Sequence, residues 1–166
     1  NIKVNKEGIH LRKTVLGFED DGVLNPAVIR EGNNFHLFYR AVRKGNYSTI
    51  GYCKLDGPLK LVERSETPIL IPETADESHG VEDPRIVKID DLYYLTYTAY
   101  DGVNAMGALA TSTDLKNFER HGLIVPQFSY EEFRCIAICN GPLNEKYERF
   151  HVYKNIHNNP DKKILL

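Results

Sequence analysis

The sequence predicts an all-β chain holding about two blades of a β-propeller, followed by a two-helix insertion. Three observations carry that prediction. Short runs of aromatic and β-branched residues alternate with turns of Gly, Asn and Asp. The first such unit recurs at an offset of 58 residues. Beyond Pro126 the texture changes and reads as helical.

In the first unit, strands are expected at Ala27-Val28-Ile29-Arg30, from Phe35 to Arg40, from Ser48 to Lys54 and, shorter, near Leu59 to Val62. Polar turns such as Glu31-Gly32-Asn33-Asn34 separate them. The second unit lies over the first. Asn25-Pro26 falls on Asp83-Pro84, Phe35-His36-Leu37-Phe38-Tyr39 on Tyr93-Tyr94-Leu95-Thr96-Tyr97, Ala41 on Ala99 and Asp56 on Asp114. With a two-residue gap, the run Leu59 to Arg64 falls on Leu115 to Arg120. Chance similarity between two β-rich stretches is the alternative. A four-stranded unit repeating at this period is the mark of a propeller blade, with the two Asx-Pro turns at equivalent inner positions.

The second unit opens on Gly80-Val81-Glu82-Asp83-Pro84-Arg85, directly before a strand that starts at Ile86 and runs on through Leu92 to Tyr97. Pro84 fixes its own φ and keeps Asp83 out of the helical region, so the acids are expected on extended backbone at the mouth of a sheet. That is a sensible place to hold a proton donor. Neighbours on extended chain point to opposite faces, so only one of Glu82 and Asp83 is expected to face a substrate squarely.

Ser129-Tyr130-Glu131-Glu132 has the form of a capping box and opens a helical run to Cys139. A second run, Leu143 to Lys154, carries Leu143, Tyr147, Phe150 and Tyr153 at spacings of three and four. Asn158-Asn159-Pro160-Asp161 reads as a loop, and Ile164-Leu165-Leu166 as a strand beginning. The expected organisation is two blades over 1–126, then the helical insertion and the start of a next blade over 127–166, within one incomplete domain.

At 166 residues the chain is long enough for one domain with its own core, and a net charge of −2 argues against nucleic acid or an anionic membrane as partner. No apolar run reaches membrane-spanning length, and Asn1-Ile2-Lys3-Val4-Asn5-Lys6 lacks the core of a signal peptide. Cys53, Cys135 and Cys139 form neither a paired framework nor zinc-ligand spacing. A cytoplasmic location is expected, or a periplasmic one if a signal peptide has been removed.

Four motifs in this order at blade spacing resemble glycoside hydrolase family 130: Asn25-Pro26, the Gly80 to Arg85 run, Tyr97-Thr98-Ala99-Tyr100, and Ala110-Thr111-Ser112-Thr113-Asp114-Leu115-Lys116-Asn117-Phe118. That family comprises mannoside phosphorylases and related β-mannosidases built as five-bladed β-propellers. The resemblance covers nearly all of the chain and about the first half of the family domain. It implies that the helical run is an insertion between the second and third blades, and that basic residues holding phosphate lie in later blades. A fragment, a truncated product and a natural chain that continues are the readings open at this point.

The activity implied by the resemblance is inverting phosphorolysis of β-mannosides to mannose 1-phosphate, with inorganic phosphate as co-substrate and no other cofactor. Asp83 matches the family's general acid. Asn25, Arg40 and Glu82 match sugar contacts, and Arg43 lies where the family places a second arginine toward sugar and phosphate. Arg85, Tyr100 and Asp101 complete the candidate substrate contacts, although Arg85 would oppose protonation of Asp83 if it paired with it. Two alternatives stay open: a β-mannoside hydrolase of the same family, and a non-catalytic carbohydrate-binding or assembly module.

Each assignment has a plainer counterpart. Asn25 and Asp83 read equally as turn residues bonding local backbone, Arg40 and Arg43 as solvated strand ends, and Tyr93, Tyr94 and Tyr97 as sheet packing. His79, beside the motif, reads as an exposed loop histidine. His10, His36, His121, His151 and His157 show no metal-ligand spacing, so no metal is expected. A homo-oligomer is expected, through the helices of 127–157 or through the sheet edges that two unclosed blades expose.

Overall fold

The computed structural model describes Lys3 and residues 8–124. The expected helices at 127–157 and the strand start at 164–166 lie outside the described residues.

Among the described residues eight strands follow one another: β1 (Gly22–Glu31), β2 (Asn34–Arg43), β3 (Tyr47–Asp56), β4 (Lys60–Arg64), β5 (Gly80–Ile89), β6 (Leu92–Tyr100), β7 (Ala105–Ser112) and β8 (Glu119–Leu123). Each of the first three is longer than the sequence alone indicates. The turns obey local stereochemistry. Gly32 (φ 61°) opens the tight β1–β2 turn, and Asp90 (φ 53°) takes the matching place between β5 and β6, since Gly and Asx are the residues that tolerate left-handed backbone. The stretch Ile86 to Tyr97 is therefore a hairpin of two strands folded at Asp90-Asp91.

Both meanders, β1 to β4 and β5 to β8, pair antiparallel in sequence order. Among the described residues a single parallel backbone bridge, Ser48 with Gly80, joins them. Their registers repeat. Leu24 pairs Arg40 and Ala27 pairs Phe38, with a bulge between, while Glu82 pairs Thr98 and Arg85 pairs Thr96 around a second bulge. These are the same positions 58 residues on, so the sequence repeat is a repeat of blade geometry.

The core lies between the two meanders. Phe38, Ile50 and Tyr52 from the first pack with Val81, Leu95, Tyr97 and Ala110 from the second, all nearly inaccessible. Phe38 meets Phe118 edge-on at 5.6 Å, which ties the far end of the second blade to the first. Full burial of an aliphatic or phenyl side chain the size of Val81, Leu95, Ile50 or Phe38 contributes about 1.5–3 kcal/mol. The opposite face of the first blade carries Tyr39, Ala41 and Cys53, covered by Leu11 and Phe18 from the segment that precedes β1.

A buried ion pair repeats as well. Glu19, fully buried, accepts from the Tyr39 hydroxyl at 2.9 Å and pairs with Arg64 at 2.8 Å. In the second blade Glu77 accepts from the Tyr97 hydroxyl at 2.8 Å and pairs with Arg120 at 2.7 Å. Each triad links the segment entering a blade, its second strand and its last strand. Tyr97 thus does what sheet packing implies and adds a polar anchor.

Candidate functional site

The Asx-Pro motifs lie inside β1 and β5, as the bulges of those strands. Asn25 has φ 47° and Asp83 φ 48°. Left-handed backbone at a non-glycine residue costs of order 1–3 kcal/mol and concentrates at functional positions. Asn and Asp adopt it with least strain, and each following proline sits where a ladder donor is not required.

This geometry corrects two expectations. Asp83 is outside the right-handed helical region, as Pro84 demands, yet it is not extended. Nor do Glu82 and Asp83 diverge, because the bulge breaks the two-residue alternation and turns both carboxylates toward Arg40. The Arg40 guanidinium donates from Nη2 to Glu82 Oε1 at 2.7 Å, while its Nη1 stands 3.7 Å from Asp83 Oδ1. Asn25 Nδ2 donates to that same Asp83 oxygen at 2.6 Å. Repeat-equivalent residues of successive blades therefore bond each other rather than local backbone.

The two acids differ in what surrounds them. The Glu82 side chain is 13% exposed and bonded to both Arg40 and Ser48. Burial pushes its carboxyl above the usual range, an effect that Arg40 and the Ser48 hydroxyl only partly offset. Asp83 is 37% exposed, and its Oδ2 has no hydrogen-bond partner among the described residues. Of the pair, Asp83 is the one open to a ligand.

The remaining candidates divide. Arg43 lies over the Tyr47 ring at 4.7 Å, Tyr47 stacks on His79 at 5.5 Å, and His79 meets Tyr100 edge-on at 6.1 Å. His79 is exposed, as expected, but its ring is held between two others. The Tyr100 hydroxyl donates to the Gly102 carbonyl at 2.9 Å. Asp101 is occupied locally: its carboxylate accepts from the Val103 and Asn104 backbone and from the Asn104 amide, which hold the carboxyl below its usual range. Arg85 is exposed and donates to the Pro84 carbonyl at 2.7 Å, apart from the acid cluster. The structure thus brings Asn25, Arg40, Glu82 and Asp83 together and leaves Asp101 and Arg85 outside.

Ser48 and Tyr47 join the site without having been singled out in the sequence. Ser48 does so through the cross-blade bridge to Gly80, a long-range pairing with no local signature. Glu19 and Glu77 did carry a signal, since they stand at the same 58-residue offset as the rest of the repeat.

Residues 9–166 match the model of the Glyco_hydro_130 family, described as beta-1,4-mannooligosaccharide phosphorylase. The chain belongs to glycoside hydrolase family 130. It is 37% identical over 150 residues to a beta-1,2-mannobiose phosphorylase of Thermoanaerobacter sp. (strain X514), covering 81% of this chain and 48% of that protein. To a 1,2-beta-oligomannan phosphorylase of the same organism it is 33% identical over 144 residues, covering 81% and 47%. A glycosyl hydrolase of Bacteroides ovatus superposes with a TM-score of 0.60 at 28% identity, covering 70% of this chain and 38% of the other. The chain spans about half the length of the curated relatives it matches. Within family 130 its eight strands are consistent with part of a propeller.

Proposed function

We propose that this chain carries the acid half of a β-mannoside phosphorylase, in which Asp83 protonates the glycosidic oxygen while phosphate attacks the anomeric carbon with inversion. Mannose 1-phosphate is the product. The observation that supports this reading most directly is the division of labour between the two acids. Glu82 is committed to Arg40 and Ser48, whereas Asp83 is oriented by Asn25 and open. An inverting hydrolase needs a second carboxylate free to activate water on the far side of the sugar. Glu82 is not free, and phosphate, already an anion, needs positioning rather than deprotonation. Arg40 is suited to that positioning because its Nη1, outside the bonds to Ser48 and Glu82, still presents charged N–H donors.

The relatives' substrates point to β-1,2-linked mannosides, the family description to β-1,4-linked ones, so both belong in the assay. The expected result is mannose 1-phosphate that depends on added phosphate. The Asp83→Asn change is expected to lower the rate by about 10²–10⁴-fold, the range for a general acid. Free mannose released without phosphate would assign hydrolysis instead. Sugar binding by calorimetry with neither product would assign a carbohydrate-binding module.

A further inference from the structure

Ser48 is fully buried at the backbone bridge between the blades. Its hydroxyl carries a single proton and two acceptor sites. It accepts from Arg40 Nε at 2.8 Å, and its own proton is directed at Glu82 Oε1, 3.1 Å away. With the Arg40 Nη2 bond to the same Glu82 oxygen, the three side chains close a ring of hydrogen bonds. Nη1 is the guanidinium nitrogen left outside it, 3.7 Å from Asp83 and beyond hydrogen-bond length. Gly80 presses on Ser48 from the other blade so closely that a Cβ there would lie 3.0 Å from Ser48 Cβ. The serine sits in a fixed seat.

We propose that Ser48 is a positioning residue that holds the Arg40 guanidinium edge-on against Glu82, so that Nη1 faces the space beside Asp83 without closing on its carboxylate. The proposal rests on the reading of Asp83 as the acid. An arginine on an unbranched stem has many rotamers, and among the described residues Asp83 is the other carboxylate within 4 Å of its guanidinium. A closed Arg40–Asp83 hydrogen bond would occupy the Asp83 carboxylate and the donors that a sugar or phosphate needs. Ser48 thus acts on the reaction through Arg40, by selecting which acid Arg40 pairs with.

The test compares Ser48→Thr with Ser48→Val in the full chain. The two side chains have the same shape and crowd Gly80 equally, so their difference reports the hydroxyl alone. Two measurements are made: exchange protection of the Arg40 Nε–H by ¹⁵N NMR, and kcat and KM for phosphorolysis of β-1,2-mannobiose. Expected are a protected Nε–H in Ser48→Thr and its loss in Ser48→Val. For kcat/KM, Ser48→Val is expected to fall roughly tenfold to a hundredfold below Ser48→Thr, the range for a hydrogen bond to a charged group. In an Arg40→Met background the Thr–Val difference in kcat/KM should vanish. Equal protection of the Nε–H in both variants overturns the proposal, as does a Thr–Val difference that persists without Arg40. Failure of the parent chain to form mannose 1-phosphate strikes the proposed function instead, and the Nε–H measurement still decides the role of Ser48.

Discussion

Replacing Glu77 by alanine tests the repeated buried triad, and its cost follows from the hydrogen bonds that the carboxylate makes. The Glu77 side chain is 4% exposed and accepts from the Tyr97 hydroxyl at 2.8 Å, from Arg120 Nη1 at 2.9 and 2.7 Å, and from the Glu73 backbone N–H at 2.8 Å. Its removal leaves the hydroxyl and the N–H without these bonds. The Arg120 guanidinium, 15% exposed, keeps the Ile71 carbonyl and also, at 3.3 Å, the Glu73 carboxylate. Removing one partner of a buried ion pair costs about 3–5 kcal/mol, and the two retained acceptors place this case near 3 kcal/mol. At about 3 °C per kcal/mol for a chain of this size, the melting temperature should fall by about 9 °C. Glu19→Ala should behave alike, because Arg64 likewise keeps a second acceptor, the Arg12 carbonyl at 2.9 Å. Urea and thermal unfolding followed by circular dichroism measure both variants. A loss below about 1 kcal/mol in each, the level of an exposed surface pair, would refute the view that the triads are desolvated anchors.

Other outcomes follow from the same geometry. Gly80→Ala brings a Cβ within 3.1 and 3.2 Å of the Ser48 backbone N and O, which cannot yield as a side chain can. Overpacking of about 1–3 kcal/mol should appear in urea unfolding, together with a fall in kcat/KM. Asp101 and Asp114 are both held below the usual carboxylate range by backbone N–H groups. Depressed folded values mean their stabilisation is complete above about pH 5, where an unfolded carboxyl is almost fully ionised, and is lost as pH falls below that. The Asp101→Asn, Asp114→Asn double variant should therefore show a flatter dependence of stability on pH between about 4 and 2 in acid titration. The Cys53 thiol is fully buried and pushed up to about 11 by that burial. Peptide mapping after iodoacetamide at neutral pH should find Cys53 unlabelled in native protein and labelled in urea.

Much of the site was legible in the sequence, for a local reason. Asn25-Pro26 and Asp83-Pro84 are short motifs whose backbone preferences are set by their own side chains, and their offset marks them as equivalents. Arg40 was legible from its place in the family pattern, although it lies inside β2 rather than at the strand end that the sequence suggested. What failed was the step from local rule to direction. Alternation along an extended strand separates Glu82 from Asp83, but it assumes a regular ladder, and the bulge removes that regularity. The bonds that the Asp101 carboxylate accepts from Val103 and Asn104 are likewise not visible in sequence. Ser48 looked like an ordinary strand residue because its partners, Arg40, Glu82 and Gly80, come from two other strands.

By itself the sequence determined the β class, the blade period and the turns, since these depend on side-chain chemistry and neighbours within a few residues, while the reading of Asp83 as the acid came from the family pattern. Only the tertiary structure decided that Asn25 bonds Asp83, that Arg40 binds Glu82 and merely approaches Asp83, and that two buried Glu–Tyr–Arg anchors hold the blades. Those contacts join residues 20 to 58 positions apart. The Asn25 and Arg40 contacts exist because the two meanders stack face to face on a shared core, and the anchors because the strands and entry segment of each blade pack together; chain-distant atoms reach bonding distance only when that packing has formed.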